Sequence, residues 1–597
     1  AYLLRFNFHI PEVELKPFPL VLAFVVFIRL VSFLIAKTYA GIVRYTSTED
    51  VFRIFLVISS GSLVFVFTNI IKYHFIDSIY LIPFSIIIID FFTTTLLMVI
   101  FRMIVKVTYL EFLNPSKAQT NVIIFGAGEA GIITKNALDR DAEIKYKILA
   151  FIDDNPQKIG KKVEGVTIFG RDKLKELLET NTIAYVIMST QNIKAEHKQE
   201  IIETCLAYNT KVLNLPPVSS WINGELSFNQ IKKINIEDLL ERDIIKLDKE
   251  KIGKQLIGKT VLITGASGSI GSELVRQISN YATNKLILTD QAESPLFYLE
   301  SECMDKFRNK EFKIIIADIC NKSRIEHIFQ KYKPDIVFHA AAYKHVPMME
   351  QNVAEAVKTN IDGTNILADL SLKYKVQKFI MVSTDKAVNP TSVMGASKRI
   401  AEIYTQALNQ KNSTKFITTR FGNVLGSNGS VIPIFREQIE KGGPVTVTHP
   451  DITRYFMTIP EACQLVLEAG AMGKGGEIYI FDMGKSVKIV DLAKKMIKLS
   501  GLTLGKDIQI KFTGLRPGEK LFEELLNDQE NTMPTHHSQI MIAKVKEYDL
   551  HDISKEIDTL IKLIDQQDDT RIVKKMKEIV PEFKSQNSIY EKLDAQD

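Results

Sequence analysis

Three long apolar runs crowd the start of this chain, at 17–36, 51–71 and 80–105. Each reaches the roughly 20 residues that a helix needs to cross a bilayer. In hydrocarbon every backbone N–H and C=O must be satisfied within its own segment, so such runs fold as helices. They are too uniformly apolar, and their connections too short, for a buried soluble core. Three in succession also exclude a cleaved signal peptide. Residues 1–113 are therefore expected to form a multi-pass helical region in a lipid bilayer, with the opening "AYLLRF" read as the tail of a further span. Arg29 and Asp90 fall near mid-span. An unpaired charge there costs about 2.5–3.5 kcal/mol, so the two are expected to pair or to line a polar crevice.

Beyond the spans the chain changes character and carries two glycine fingerprints. In "NVIIFGAGEAGIITKNAL" an apolar strand runs into Gly126, Gly128 and Gly131 and then a helix, and "KILAFIDDNP" supplies Asp153 at ribose distance. This marks a first Rossmann-like domain at 117–215. No catalytic segment follows it, which favours a structural or regulatory use over nucleotide binding. A polar linker at 216–257 leads to the second fingerprint, "KTVLITGASGSIGSELVRQI". Its Gly265, Gly268 and Gly271 have the spacing of short-chain dehydrogenases. Ser267 and Ser269 add donors at a helix N-terminus that already suits a pyrophosphate. Asp290 closes the next strand, nineteen residues after Gly271, where a carboxylate binds ribose hydroxyls and repels a 2′-phosphate, so the expected cofactor is NAD. Asp318 is placed for the adenine edge, and the small residues Ala340, Ala341 and Ala342 let backbone pass close to a ligand. Ile270, Ile319, Asn360 and Lys398 complete the expected cofactor contacts.

The strand "KFIMVSTDKAV" delivers Ser383, Thr384, Asp385 and Lys386 to its carboxyl end, where ligands sit in such sheets. The segment "STDKAVNPTSVMGASKR" resembles the catalytic segment of a short-chain dehydrogenase, in which a tyrosine precedes a lysine by four. Here Lys398 is present, and Met394 holds the tyrosine's place one helical turn back. Another Tyr-xxx-Lys, Tyr374 and Lys378, precedes the strand and so lies at its wrong end. Methionine exchanges no proton. Asp385 and Lys386 offer a carboxyl and an amine instead, a pair that acid–base chemistry needs and simple alcohol oxidation does not.

Six stretches, "TGASGSIGSE", "HAAAYKHVPMMEQN", "STDKAVNPTSVMGASKR", "RFGNVLGSNGSVIPIF", "HPDITRYFMTIPEA" and "GLRPGEKLFEELL", resemble the nucleoside-diphosphate-sugar 4,6-dehydratases. The resemblance is closest to the membrane-anchored branch with the UDP-N-acetylglucosamine 4,6-dehydratases, and it covers essentially the whole chain. It implies an α/β architecture: transmembrane helices, then two Rossmann-like, doubly wound parallel-sheet domains. The second is an extended short-chain dehydrogenase fold with a smaller substrate lobe, at 258–545, followed by C-terminal helices at 546–597. Met394 is a habit of that branch. The implied reaction oxidises C4 of the sugar, removes water across C5 and C6, and returns hydride to C6. Lys386 is then the base at C5, Asp385 the acid at C6, Thr384 the partner of the C4 hydroxyl, and Lys398 the ribose-binding cation. Lys344, His345, Asn423, Ser430, Arg454, Arg516 and Glu519 are expected at the substrate.

Rival readings are a UDP-sugar 4- or 5-epimerase and a non-catalytic nucleotide-sensing scaffold on the membrane. The net charge of +5 is small for 597 residues, and no basic run is dense enough for nucleic acid. The four cysteines show no metal-ligand or disulfide spacing. The expected setting is the inner (cytoplasmic) membrane, with the catalytic part facing the cytosolic pools of NAD and UDP-sugar, in a homo-oligomer.

Overall fold

The computed structural model describes residues 1–36, 48–112, 119–139, 144–190, 193, 195–216, 231–233, 236, 247–524, 532–543 and 546–594. Most of the expected linker at 216–257 lies outside them. The chain divides into two compact units, residues 1–120 with 141–146, and 121–140 with 147–597.

In the first unit three helices are long and apolar enough to cross a membrane: Phe18–Ile35, Asp50–Ile76 and Phe84–Val105. The third begins four residues later than the apolar run. Pro83 disfavours helix at the residue before it, and its carbonyl accepts the first-turn amide of Ile86. The bend is clasped by Asn69, whose fully buried amide donates to Ile82 O (2.5 Å) and accepts from Ile82 N (3.0 Å). Apolar side chains such as Phe27, Leu30, Phe67 and Phe92 remain exposed on the outer faces, as a lipid-facing surface requires. Arg29 and Asp90 do pair, at 2.6 Å. The guanidinium also donates to Ile58 O (2.7 Å) and Ser62 Oγ (2.9 Å) and lies over the Phe65 ring.

Two large sheets follow, with three two-stranded ones beside them among the described residues. The first runs Lys162–Val163, Val166–Phe169, Lys145–Ile152, Gln119–Phe125, Tyr185–Met188, Lys211–Asn214, Lys232–Lys233. The larger runs Phe312–Ile316, Lys285–Asp290, Thr260–Thr264, Ile336–His339, Lys378–Val382, Lys415–Arg420, Ile478–Phe481, all parallel. Two antiparallel strands, Ile540–Ala543 and Thr532–Pro534, finish its edge. The chain reverses its direction of travel across the sheet between Thr260–Thr264 and Ile336–His339, the switch point where doubly wound sheets open a crevice. Strands such as Thr260–Thr264 are buried along their whole length, as helices on both faces require.

A lobe of short paired strands and two helices, Val431–Glu440 and Ile489–Leu499, is built from the segments after Lys415–Arg420 and after Ile478–Phe481. Its apolar residues share one buried cluster with those of the first sheet, and Lys495 Nζ meets Glu203 Oε1 at 2.6 Å across that contact. The C-terminal helices Leu550–Ile564 and Asp569–Ile579 bury Ile557, Leu560, Val573 and Met576 in the core that also holds Met394 and Ile400 of helix Val393–Leu408.

Arg29→Leu should lower the thermal unfolding temperature of the detergent-solubilised protein. It strands Asp90, a loss of about 3–5 kcal/mol for a broken buried pair. Replacing both residues with leucine should recover most of that loss. A single variant as stable as the parent would mean the pair does not hold the spans.

Candidate active site

Gly265 follows the first strand of the large sheet with φ of +66°, and a Cβ there would lie 2.6 Å from Ala341 N. Only glycine lets this loop pass so close to the Ala340–Ala342 strand end. Helix Ser269–Ile278 starts at the loop with Gly268 before it, so its first amides face the crevice. Asp290 Oδ2 accepts from Ser267 N and Oδ1 from Ala292 N, both at 3.0 Å. Each oxygen keeps a lone pair for a hydroxyl. Asp318 Oδ1 accepts from Cys320 N (2.9 Å) beside the buried Ile319. This backbone cradle, with a carboxylate at its far end, fits a dinucleotide.

Asn360, expected at the cofactor, is also bonded within the protein. Its Oδ1 accepts from Tyr343 N, and its Nδ2 donates to Tyr343 O and Ser397 Oγ, all at 2.9 Å. These bonds of the buried amide fix the loop after Ala342 against the lysine-bearing helix, and Oδ1 keeps a second lone pair. His339, which the sequence did not mark, bridges Thr264 Oγ1 (2.8 Å) and Thr364 Oγ1 (2.9 Å). Burial, with the charge of Lys398, holds its imidazole well below the usual range, so it is a neutral strut.

The strand Lys378–Val382 ends at the corner that carries Thr384, Asp385 and Lys386. Thr384 Oγ1 donates to Asp385 Oδ1 (2.9 Å), and Lys386 Nζ donates to the same oxygen (2.9 Å) and to Asn423 Oδ1 (3.1 Å). Lys386 also lies 3.5 Å from Glu523 Oε1. Asp385 Oδ2 has no hydrogen-bond partner among the described residues. It abuts Gly422, where a Cβ would stand 2.9 Å away, so the absent side chain leaves room for the carboxylate. Burial opposes the charge of Lys386, but Asp385 and Glu523 outweigh it and hold the ammonium above the ordinary lysine range. The amine is therefore charged at rest, not free as expected of a base in a dry pocket.

Lys398 behaves oppositely. Burial pushes it down to about 8 despite Glu402 one turn along. Glu402 is fully enclosed and already committed: it accepts from Ser383 Oγ (2.7 Å), Arg420 Nε (2.8 Å), Arg420 Nη2 (2.6 Å) and Arg399 Nη1 (3.2 Å). Met394 is 2% exposed within the apolar core, so at the tyrosine position it fills space and does no proton chemistry. Tyr374 bonds Glu326 at 3.3 Å before the strand begins, away from the corner.

A cavity of about 420 Å³ opens beside the corner, walled by Lys386 and by Lys344, His345, Asn423, Arg454, Arg516 and Glu519. Ser430, between two wall residues, precedes helix Val431–Glu440 with its Oγ buried and unpartnered among the described residues. Burial and the charge of Lys386 lower Lys344; burial, Lys344 and Arg516 lower His345. Glu519 is engaged by Arg454 Nη2 (3.5 Å) and Arg516 N (3.1 Å). Sequence reasoning missed Glu523, which also meets Arg454 Nε (3.5 Å), and Lys520, which donates to Val388 O (3.1 Å). It also missed a C-terminal strap: Lys584 N donates to Pro390 O (3.1 Å) and Gln586 N to Thr391 O (3.2 Å).

Residues 261–545 match the family described as "Polysaccharide biosynthesis protein", and residues 40–212 match one described as "CoA-binding domain". The chain is 43% identical over 454 residues to the capsular polysaccharide biosynthesis protein CapD of Staphylococcus aureus, covering 75% of each. The chain belongs to the polysaccharide biosynthesis protein family. Its catalytic portion is also similar to two enzymes of differing chemistry. A UDP-glucose 4-epimerase of Rickettsia canadensis is 35% identical, over 45% of this chain and 78% of that one. An inverting UDP-N-acetylglucosamine 4,6-dehydratase of Campylobacter jejuni is 33% identical, over 52% of this chain and 86% of that one. In the portion matched to the second family, Asp153 is occupied by Ala127 N (2.8 Å), Lys158 Nζ (2.9 Å) and Asn155 N (2.9 Å).

Lys398→Met should stabilise the cofactor-free family member near pH 7 by roughly 1–3 kcal/mol. The unfolded chain holds the lysine proton to about 10.5 and the folded chain to about 8. Below 8 both states carry the proton and the cost of burying it is full. Between these values the unfolded state binds more protons, so the parent gains stability as pH rises and the gap to the variant closes. Denaturant titrations across that range check the sign.

Proposed function

We propose that this protein is an NAD-dependent 4,6-dehydratase of a UDP-hexose, most simply UDP-N-acetylglucosamine. It acts at the cytoplasmic face of a membrane and serves surface polysaccharide or glycan synthesis. The observation that carries the reading is the hydrogen-bonded run Thr384–Asp385–Lys386 beside a basic cavity, with an apolar Met394 in place of a phenol. Elimination of water needs an acid and a base side by side, and this corner supplies both.

Gly265, Ser267, Ser269 and Asp290 would hold NAD, which when bound supplies a resting place for hydride between C4 and C6. The chain's own residues move the protons. A proton passed from Lys386 Nζ to Asp385 Oδ1 across their 2.9 Å contact leaves a neutral amine and a neutral acid. The amine takes the C5 proton once C4 is a ketone. The acid protonates the C6 hydroxyl, the C6–O bond breaks and water leaves, which restores the resting ion pair. Lys386 returns its proton to C5 as hydride reaches C6. The proton of the C4 hydroxyl leaves along Thr384 to solvent when C4 is oxidised, and Lys386, left neutral once it has protonated C5, regains one from solvent. Lys398, its pKa of about 8 leaving it mostly charged near pH 7, would favour loss of nearby protons by that charge while it holds the nicotinamide ribose. Arg454 and Arg516 suit a diphosphate through planar, forked donors.

A UDP-sugar epimerase is the second reading, supported by the identity to the Rickettsia enzyme. The acid–amine pair and the missing phenol count against it.

Lys386→Ala should fold, retain NAD and form no keto sugar; near-normal turnover would reject its role as base. Met394→Ala should lose less than about tenfold in kcat, since general acid–base groups contribute about 10²–10⁴. Run in heavy water with UDP-N-acetylglucosamine, the reaction should give a product that has lost water and carries deuterium at C5. A C4-inverted product that keeps its water would select the epimerase.

A further inference from the structure

Beyond helping to hold the Lys386 ammonium, the carboxylate of Glu523 moves no proton in the chemistry above, yet it stands in the cavity wall with its side chain 3% exposed. Its Oε1 is shared by Lys386 Nζ and Arg454 Nε, each at 3.5 Å. Its Oε2 is buried and has no hydrogen-bond partner among the described residues. An acceptor enclosed without a donor is destabilising, and natural structures keep few of them. Its position suggests what would satisfy it. Arg454 is at the end suited to a diphosphate, and Lys386 is at the end where C5 and C6 would react. Between the diphosphate and C4 of a nucleotide hexose lie C2 and C3, each bearing a hydroxyl or an acylamino group. Both groups are donors, and both suit a carboxylate oxygen. Asp385 is a poor competitor for this contact, because its Oδ1 already takes two donors and its Oδ2 faces Gly422.

We infer that Glu523 reads the hexose, its Oε2 accepting a hydrogen bond from an O–H or N–H at C2 or C3. The inference rests on the UDP-hexose reading. It makes Glu523 a specificity-determining residue: a ligand without the donor leaves a buried carboxylate oxygen unpaired and is rejected, as sites built to bond a donor reject analogues lacking it.

The test uses the full-length, detergent-solubilised, NAD-loaded protein. UDP and UDP-N-acetylglucosamine are titrated by calorimetry into the parent, Glu523→Gln and Glu523→Asp, and kcat and KM are measured for the sugar nucleotide. Both variants should bind UDP within about twofold of the parent. Glu523→Gln should raise KM by about 10–100-fold, the range of a hydrogen bond to a charged group, and lower kcat by less than about tenfold. Lys386→Ala should instead bind the sugar nucleotide in calorimetry as the parent does and form no product. Unchanged KM in both variants overturns the inference, as does a collapse of kcat at constant KM, which would place Glu523 in proton transfer. Loss of UDP affinity also overturns it, since Glu523 would then serve only to hold Arg454. A parent that binds neither UDP nor the sugar nucleotide overturns the UDP-hexose reading itself and this inference with it.

Discussion

The fully buried carboxylate of Glu402 is the constraint on which the site's geometry depends. A charge without water must be compensated on every side, or the protein loses several kcal/mol. Here the compensation comes from three elements. Ser383 comes from the end of the strand Lys378–Val382, Arg420 from the end of its neighbour, and Arg399 from the helix that carries Lys398. Thr384, Asp385 and Lys386 follow Ser383 directly, so the ion cluster that fixes Ser383 also fixes where the acid and the amine begin. The lysine-bearing helix is held by the same carboxylate and, through Arg399 and Glu582, by the C-terminal segment. The placing of strand end against helix is thus set by paired charge as well as by apolar packing.

That cluster was not legible in the sequence, and the reason is physical. What could be read was local: the strand–glycine–helix turn at Gly265, the acid closing the next strand at Asp290, and the residues delivered by "STDK". Each depends on neighbours within one turn or one strand, where spacing decides contact. The doubly wound parallel sheet followed from such units repeated along the chain, and the structure has it. The contacts that complete the site join distant segments. Arg399 meets Glu582 183 residues away, and Glu523 reaches Lys386 from beyond the substrate lobe. No periodicity encodes such pairings. Asn360 makes the same point: only the fold reveals that its amide ties Tyr343 to Ser397. Arg29 and Asp90 were an exception among distant pairs, because a bilayer leaves two buried opposite charges few alternatives.

Two lysines, Lys398 buried and Lys386 with its side chain 20% exposed, show how partner geometry as well as burial decides charge. Both are desolvated, and desolvation favours the neutral amine in each. Lys386 meets Asp385 at 2.9 Å and Glu523 at 3.5 Å, and the attraction wins. Lys398 has only Glu402 to draw on, and two arginines already hold that carboxylate. Burial then wins, and the amine falls to about 8. The same chemical group is set to opposite ends of its range within one site.

This division bears on how a site without a phenol manages protons. A phenol next to a lysine concentrates proton exchange on one oxygen. In the proposed reaction the resting state would store the exchangeable proton on an ammonium already bonded to a carboxylate, and a shift along one 2.9 Å contact would create the acid and the base together. Neither needs an independently tuned pKa, since each defines the other. Such a shift would be unfavourable in water, where both charged forms are well solvated. It becomes accessible only where the pair is enclosed and a bound ligand alters its surroundings. Asp385 is 1% exposed, and its second oxygen faces the space left by Gly422. The enclosure that makes the resting ion pair costly to isolate is therefore the condition under which it can act as an acid and a base.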